Sequence, residues 1–97
     1  MSILQRFNLT GSVAIVTGSG RGIGRAIALA YAVAGADVVC SARSLADVEA
    51  VAEEVRSRGR RALALSCDVT DSEQRCALVA NAAEQLGRIT HLVNNAG

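Results

Sequence analysis

The 97-residue sequence contains no proline, no tryptophan and no lysine, and only 2% of its residues are aromatic. Its apolar content of 51% therefore comes mostly from Ala, Val, Leu and Ile, which predicts a core of small aliphatic side chains. Because the net charge is only +1, this apolar content favours folding and excludes a disordered tail. The same weak charge argues against nucleic acid and membrane surfaces as partners.

Long hydrophobic runs and cysteine pairs are also missing. The longest apolar run, residues 26–34, is far shorter than the roughly 20 residues of a membrane-spanning helix. The first residues lack the basic and apolar regions of a secretory signal. Cys40, Cys67 and Cys76 form no C-x-x-C pair, which argues against a disulfide framework and predicts no metal site. We expect buried, reduced thiols in a cytoplasmic protein.

Continuous apolar runs alternate with helical patterns along the chain. The runs predict strands at residues 13–17, 37–42, 62–67 and 89–94. The helices between them are predicted to end at Gly35, Gly59 and Gly87, with Ser44 capping the second and a Thr70–Glu73 capping box starting the third. This β-α-β-α-β-α-β order predicts an α/β fold with a parallel sheet, with the first two helices on one face and the third on the other.

Apolar spacing also predicts which face of each helix is buried. The predicted faces are Ile23, Ala26, Ile27, Ala30, Tyr31 and Ala34 in the first helix, Leu45, Val48, Ala52 and Val55 in the second, and Cys76, Val79, Ala80, Ala83 and Leu86 in the third.

A glycine-rich loop, residues 17–24, lies between the first strand and the first helix. Glycines there allow a tight turn and let backbone N–H groups approach a pyrophosphate, and the helix N-terminus attracts the anion. Gly24 also permits close packing of the helix on the strand. A glycine turn without a ligand is the alternative, but the position in a β-α-β unit favours nucleotide binding.

The end of the second strand bears on the choice of cofactor. An acidic residue there favours NAD(H), whereas this sequence has Ala42 and Arg43. Arg43, with Arg21 from the glycine loop, is suited to bind the 2′-phosphate of NADP(H), which is therefore the preferred cofactor, with NAD(H) as the other possibility. Both arginines could instead be solvated surface charges. Asp68, after the third strand, is suited to accept a hydrogen bond from the adenine amino group, or to cap the turn.

Three motifs together resemble the short-chain dehydrogenase/reductase family: the loop from Thr17 to Gly24, the Asp68-Val69 pair, and residues 94–97 with the sequence NNAG. The resemblance covers essentially the whole chain and implies a Rossmann-type doubly wound sheet, of which this is the first β-α-β-α-β-α-β portion. It also implies a set of cofactor-binding residues: Gly18, Ser19, Arg21, Gly22, Ile23 and Gly24 at the pyrophosphate, Asp68 and Val69 at the adenine, and Asn95, Ala96 and Gly97 at the adenine ribose. Asn94 resembles the structural asparagine of the family.

The family's catalytic serine, tyrosine and lysine have no counterpart in these residues. Tyr31 is the only tyrosine and has Gly35 rather than a lysine four residues later. His91 stands in the fourth strand where the family carries an aliphatic residue, and a lone histidine on a strand is more often structural than catalytic. We therefore predict a cofactor site and no catalytic residue within this chain.

Two functions remain open from the sequence. The resemblance implies the N-terminal, cofactor-binding part of an NADP(H)-dependent oxidoreductase that interconverts a secondary alcohol and a ketone. It also implies a small carbonyl or alcohol substrate and a homotetramer. The alternative is a free-standing, non-catalytic nucleotide-binding module.

Overall fold

The computed structural model describes residues 8–95, so the contacts predicted for Ala96 and Gly97 lie outside the described residues. Strands and helices alternate as β1 (Val13–Thr17), α1 (Gly22–Val33), β2 (Asp37–Ala42), α2 (Leu45–Ser57), β3 (Ala62–Ser66), α3 (Ser72–Leu86) and β4 (His91–Val93). The strands pair in parallel in the order β3-β2-β1-β4. The predicted α/β class and Rossmann-type arrangement are confirmed.

The side chains of each strand alternate between the two faces of the sheet, and each face packs on different helices. On one face, Val16, Val38 and Cys40 pack with the buried residues of α1 and α2. On the other face, Ile15 and Val39 pack with α3. The predicted division of the helices between the two faces is therefore confirmed.

The buried face of α1 agrees with the predicted one only in part: Ile27 and Tyr31 are half-buried and pack against the core. Gly24, Ala28 and Ala32 are buried against the sheet, whereas Ile23 is 74% exposed and Ala26 and Ala30 are also exposed. Nearly every residue of this helix is apolar, so hydrophobicity marks no single stripe. The face that meets the sheet carries the smallest side chains, because they allow the closest approach of the two backbones.

The other two helices confirm the prediction unequally. In α2, Val48, Ala52 and Val55 are buried as predicted, Val51 joins them, and Leu45 is exposed. In α3 the buried residues are Leu78, Ala82 and Leu86, and only Leu86 was predicted. Five apolar residues in succession, residues 76–80, fit more than one stripe of period 3.6, so the sequence could not select one. As a consequence Cys76 is exposed, and the expectation that every cysteine is buried is wrong for it.

The strand β4 is shorter than predicted, because Thr90 pairs with β1 through its side chain. The Thr90 hydroxyl oxygen accepts a 2.9 Å hydrogen bond from the N–H of Val13. The backbone N–H of Thr90 donates to the Val13 carbonyl at 2.9 Å. A side-chain acceptor thus replaces the backbone acceptor that a regular ladder would use. The edge of β4 away from β1 is unpaired within residues 8–95, and Leu92 is 63% exposed there.

The N-terminal cap of α3 is Asp71 rather than the predicted Thr70. The Asp71 carboxylate accepts hydrogen bonds from the N–H groups of Glu73 and Gln74, at 2.9 and 3.2 Å. The Thr70–Glu73 capping box is therefore wrong, and the Thr70 hydroxyl binds Asp68 instead. At α2 the prediction is confirmed, since the Ser44 hydroxyl accepts from the Asp47 N–H at 3.4 Å.

Candidate functional site

A cleft of about 710 Å³ lies at the carboxyl ends of the parallel strands, where open α/β sheets bind their ligands. The loops after β1, β2 and β3 and the segment after β4 form its walls. Its lining consists of Gly18, Gly20, Arg21, Ala42, Arg43, Ser44, Asp47, Cys67, Asp68, Val69, Thr70 and Asn95. Six of the predicted cofactor residues meet in this cleft: Gly18, Arg21, Arg43, Asp68, Val69 and Asn95.

The path of the glycine loop depends on backbone conformations that only glycine adopts easily. Gly18 has φ 64° and Gly22 has φ 61°, both in the left-handed region. Between them the chain leaves β1, turns, and enters α1. These two residues therefore define the turn that aims the start of α1 at the cleft.

Gly20 and Gly24 are required for a different reason, which is space. A Cβ atom on Gly24 would lie 1.9 Å from the Gly18 carbonyl oxygen and 2.7 Å from the Asn95 Nδ2. A Cβ atom on Gly20 would lie 2.8 Å from the Asp47 Cβ. Gly24 thus allows the close packing of α1 that the sequence predicted, and Gly20 lets the loop lie directly on the first turn of α2.

The N-terminus of α1 has no side-chain cap, unlike those of α2 and α3 within the described residues. Its cap position is Arg21, which makes no side-chain hydrogen bond to the helix, and its first turn contains no acidic residue. The first four N–H groups of a helix have no acceptor inside the helix. In α1 no side chain of the cap residue accepts from them, and they lie beside a glycine loop, which is the arrangement of a phosphate-binding site.

Ser19 was predicted to bind the cofactor, but the structure places it beneath the loop. The residue is fully buried, and its hydroxyl oxygen accepts a 2.9 Å hydrogen bond from the Ser41 N–H. Its own N–H donates to the Ser41 carbonyl at 3.1 Å. Because both polar groups are used within the protein, Ser19 anchors the loop to the end of β2. Three more predicted residues lie outside the cleft lining: Gly22, Ile23 and Gly24. They form the first turn of α1.

Arg21 and Arg43 are exposed and line the same cleft, as the sequence predicted. Neither guanidinium forms an ion pair with another residue of the 8–95 range. The backbone of Arg43 is held by β3, because its carbonyl accepts a 3.1 Å hydrogen bond from the Ser66 hydroxyl. Both cations are therefore positioned by the fold and available to an anionic ligand.

The carboxylate of Asp68 is oriented by Thr70. Its Oδ1 accepts hydrogen bonds from the Thr70 hydroxyl at 2.7 Å and from the Thr70 N–H at 3.0 Å. These two hydrogen bonds, with a smaller contribution from the charge of Arg43, lower the pKa of Asp68. The carboxylate is thus ionised at neutral pH and has a fixed orientation at the cleft wall.

The loop that carries Asp68 and Val69 is braced by the first turns of α3. The Asp68 N–H donates to the Gln74 side-chain carbonyl at 2.8 Å, and the Arg75 guanidinium donates to the Val69 carbonyl. Both contacts hold the backbone of the loop without occupying the cleft.

Thr17 joins the end of β1 to the segment after β4. Its hydroxyl accepts a 3.0 Å hydrogen bond from the Asn95 N–H and lies 3.2 Å from the Asn94 Oδ1. The side-chain amide of Asn95 (Nδ2) donates to the Gly18 carbonyl at 3.5 Å. The Asn94 side chain thus contacts the end of β1, and Asn95 lines the cleft beside the glycine loop.

Six cleft residues were not among the predicted site residues: Gly20, Ala42, Ser44, Asp47, Cys67 and Thr70. Cys67 and Thr70 flank Asp68 at the end of a strand, so the rule for carboxyl ends of parallel strands could have found them. Asp47 belongs to the first turn of a helix, and only the fold shows that it contacts the loop after β1.

Tyr31 and His91 lie away from the cleft. Tyr31 packs edge-on against the His91 ring, with the centroids 5.6 Å apart, and neither residue lines the cleft. In the part of the chain that the structure describes, no group of acidic, histidine and cysteine side chains could hold a metal ion. None of the helices in that part is both long and apolar enough to cross a membrane.

Comparisons with known proteins agree with this geometry. The family model described as short chain dehydrogenase matches residues 12–97. An uncharacterized oxidoreductase of Mycobacterium tuberculosis is 44% identical over 95 residues, which cover 98% of this chain and 36% of that protein. The 7alpha-hydroxysteroid dehydrogenase of Escherichia coli strain K12 is 43% identical over 93 residues, covering 96% of this chain and 36% of that protein.

Solved structures show the same fold. A 7 alpha-hydroxysteroid dehydrogenase complexed with NADH and 7-oxo glycochenodeoxycholic acid is 40% identical and superposes with a TM-score of 0.92. The match covers 100% of this chain and 38% of that one. The chain therefore spans little more than a third of the length of the relatives it matches.

Proposed function

Since this chain belongs to the short chain dehydrogenase family, we propose that it is the N-terminal, cofactor-binding part of an NADP(H)-dependent oxidoreductase that interconverts a secondary alcohol and a ketone. The observation that carries the proposal is the uncapped N-terminus of α1, which follows a glycine loop opening onto a cleft with two unpaired arginines. A pyrophosphate would satisfy the free N–H groups, and the arginines would add positive charge for a further phosphate.

The residues present fit a dinucleotide. The Gly24 position leaves no room for a side chain, so α1 can start close to the sheet and present its N–H groups to a bound phosphate. Asp68, ionised and held by Thr70, would accept a hydrogen bond from the adenine amino group. Arg43 and Arg21 would hold the 2′-phosphate, and Asn95 would lie beside the adenine ribose. When bound, the nicotinamide supplies hydride chemistry.

The catalytic serine, tyrosine and lysine that the family resemblance implies would come from segments outside these 97 residues. This part of the proposal is supported by the relatives, of which the chain spans about 36%. It is also supported by the sequence, which has no lysine and one tyrosine that packs on His91. A small carbonyl or alcohol substrate and a homotetramer are proposed for the whole protein on the same resemblance, and the free thiols support a cytoplasmic location.

The cofactor assignment is tested by calorimetric titration of the whole protein with NADPH and with NADH. Arg43→Asp is expected to weaken NADPH binding by about tenfold or more, because it replaces an attractive charge with a repulsive one, and to leave NADH binding nearly unchanged. Arg88→Asp is the matched control, because Arg88 is exposed and follows α3, outside the cleft. An unchanged ratio of the two affinities would overturn the NADP(H) preference, and a lack of binding by either nucleotide would overturn the site.

A second candidate, a free-standing nucleotide-binding module without catalysis, has the same cleft and is consistent with the packing of Tyr31 on His91 away from it. The two candidates differ in the mass of the native polypeptide, which is identified in its source cells by a peptide from α2. A species well above twice 10.0 kDa with carbonyl reductase activity supports the oxidoreductase. A stable native species of 10.0 kDa that binds nucleotide supports the module.

A further inference from the structure

The arginines that favour a 2′-phosphate share their cleft with a carboxylate that the sequence did not indicate. Asp47 lies in the first turn of α2 and lines the cleft together with Arg43 and Ser44. Its side chain rests on the glycine loop: a Cβ atom on Gly20 would lie 2.8 Å from the Asp47 Cβ and 3.7 Å from its Oδ2. The carboxylate therefore stands beside the backbone that leads into Arg21.

The Asp47 carboxylate has no partner that would neutralise it. Within residues 8–95, it takes part in none of the ion pairs, and only its backbone N–H is hydrogen-bonded, to the Ser44 hydroxyl. The charges that line the cleft in the described range are then two arginines and two aspartates, Arg21 and Arg43 against Asp47 and Asp68. They sum to zero, so the cleft is less cationic than its arginines suggest.

The two aspartates act on different parts of a bound dinucleotide. Asp68 follows β3, and its carboxylate is occupied by Thr70. Asp47 lies in the first turn of α2 and lines the same cleft as the two arginines that would bind a 2′-phosphate. A carboxylate there repels that phosphate, and it can accept hydrogen bonds from the free ribose hydroxyls of a cofactor without the phosphate.

We propose that Asp47 is a specificity-determining residue that opposes the 2′-phosphate and thereby keeps the site open to NAD(H) as well as NADP(H). The inference rests on the proposed function, because it assigns a role within the same dinucleotide site. Gly20 is needed for this position of Asp47, since a Cβ atom at residue 20 would lie 2.8 Å from the Asp47 Cβ and displace it.

The test is calorimetric titration of NADPH and NADH into the whole protein and its Asp47→Asn variant, at low salt and in about 1 M salt. We expect Asp47→Asn to bind NADPH about fivefold more tightly at low salt, with NADH binding changed by less than about twofold. The gain for NADPH should shrink in high salt, because screening weakens the repulsion that the substitution removes.

Glu49→Gln is the matched control. Glu49 is exposed, belongs to the same helix, and lies outside the cleft, in a separate groove beside β3. The control removes the same charge and is expected to leave the NADPH-to-NADH ratio unchanged. If Asp47→Asn moves this ratio no more than Glu49→Gln does, the inference is overturned while the proposed function stands. If the unsubstituted protein binds neither nucleotide, both fail together. Asp47→Ser, which also removes the charge, serves as the second variant should Asp47→Asn not fold.

Discussion

The hydroxyl oxygen of Ser19 accepts a hydrogen bond from the N–H of Ser41, 2.9 Å away, and the Ser19 N–H donates to the Ser41 carbonyl at 3.1 Å. Both residues are fully buried. This reciprocal pair fastens the glycine loop to the end of β2, so the loop that faces a phosphate and the strand end that carries Arg43 form one unit. The pair is formed by side chain and backbone together, which no spacing in the sequence reveals.

Removal of the Ser19 hydroxyl leaves a buried N–H group without a partner. We expect Ser19→Ala to lower the free energy of unfolding by about 1–3 kcal/mol and to weaken the binding of either nucleotide. Urea unfolding measures the first effect, and calorimetry the second. Ser57→Ala is the control, because that hydroxyl is exposed and donates to a carbonyl of its own helix. Equal effects of the two substitutions would contradict the anchoring role.

The two glycines at the start of α1 should respond differently to the same substitution. Gly24→Ala forces a Cβ atom to within 1.9 Å of the Gly18 carbonyl, so we expect a loss of about 3 kcal/mol in the free energy of unfolding and loss of nucleotide binding. At Gly22 a Cβ atom meets no neighbour within 4 Å, and Gly22→Ala costs only the left-handed backbone strain of about 1 kcal/mol. If Gly22→Ala destabilises the protein more than Gly24→Ala does, the result would contradict the claim that Gly24 is needed for the close packing of α1.

The lowered pKa of Asp68 depends first on the Thr70 hydroxyl. We expect the pKa of Asp68 to rise in Thr70→Val, which keeps the shape of the side chain but removes that donor. Carbon-detected titration of the carboxyl group measures the change. Ser72→Ala, on a neighbouring residue whose hydroxyl does not contact Asp68, should leave this pKa unchanged. An unaltered pKa in Thr70→Val would contradict the hydrogen bond.

The same hydrogen bonds make stability depend on pH. Because the pKa of Asp68 is lower in the folded protein than its ordinary value of 3.8, its contribution to stability is present above that value and is lost as the pH falls through the lower, folded pKa. In Thr70→Val this contribution should decrease, so the stability of the variant should fall less steeply in acid. Urea unfolding at a series of acidic pH values provides the comparison.

The three thiols should react at different rates. Burial raises the pKa of Cys40 to about 11, so at pH 8 only about one thiol in a thousand would be ionised there, besides being inaccessible. Burial also raises the pKa of Cys67, which lies at the cleft wall. With iodoacetamide we expect Cys76 to be alkylated first and Cys40 to stay unreactive until the protein unfolds. Mass spectrometry of the intact protein measures the extent of alkylation over time.

A nucleotide should slow the modification of Cys67 and leave that of Cys76 unchanged, because only Cys67 lines the cleft. This pair of thiols therefore provides an internal control in one sample. Equal protection of both cysteines would point to global stabilisation by the ligand rather than to occupancy of the cleft.

The sequence by itself determined the order of the elements and several of the residues at their ends. Continuous β-branched runs fix β1 and β2, and Ser44 and the glycines fix where helices begin and end, because these are local effects of side-chain shape and backbone freedom. The motif at Thr17 to Gly24 and the arginine at position 43 likewise predicted the position of the cleft and the two arginines that line it. These patterns can be recognised in the sequence because each one involves residues that are close together along the chain.

Only the tertiary structure decided which helix faces are buried and how the cleft is balanced in charge. In α1 almost every residue could face the sheet, and the buried residues are the small Gly24, Ala28 and Ala32. In α3 the apolar run of residues 76–80 fits more than one stripe, and Leu78 and Ala82 are buried. The contact of Asp47 with Gly20 joins the loop after β1 to the start of α2. Such pairings depend on the distance of closest approach between backbones, a property of the packed fold that no local pattern of residues contains.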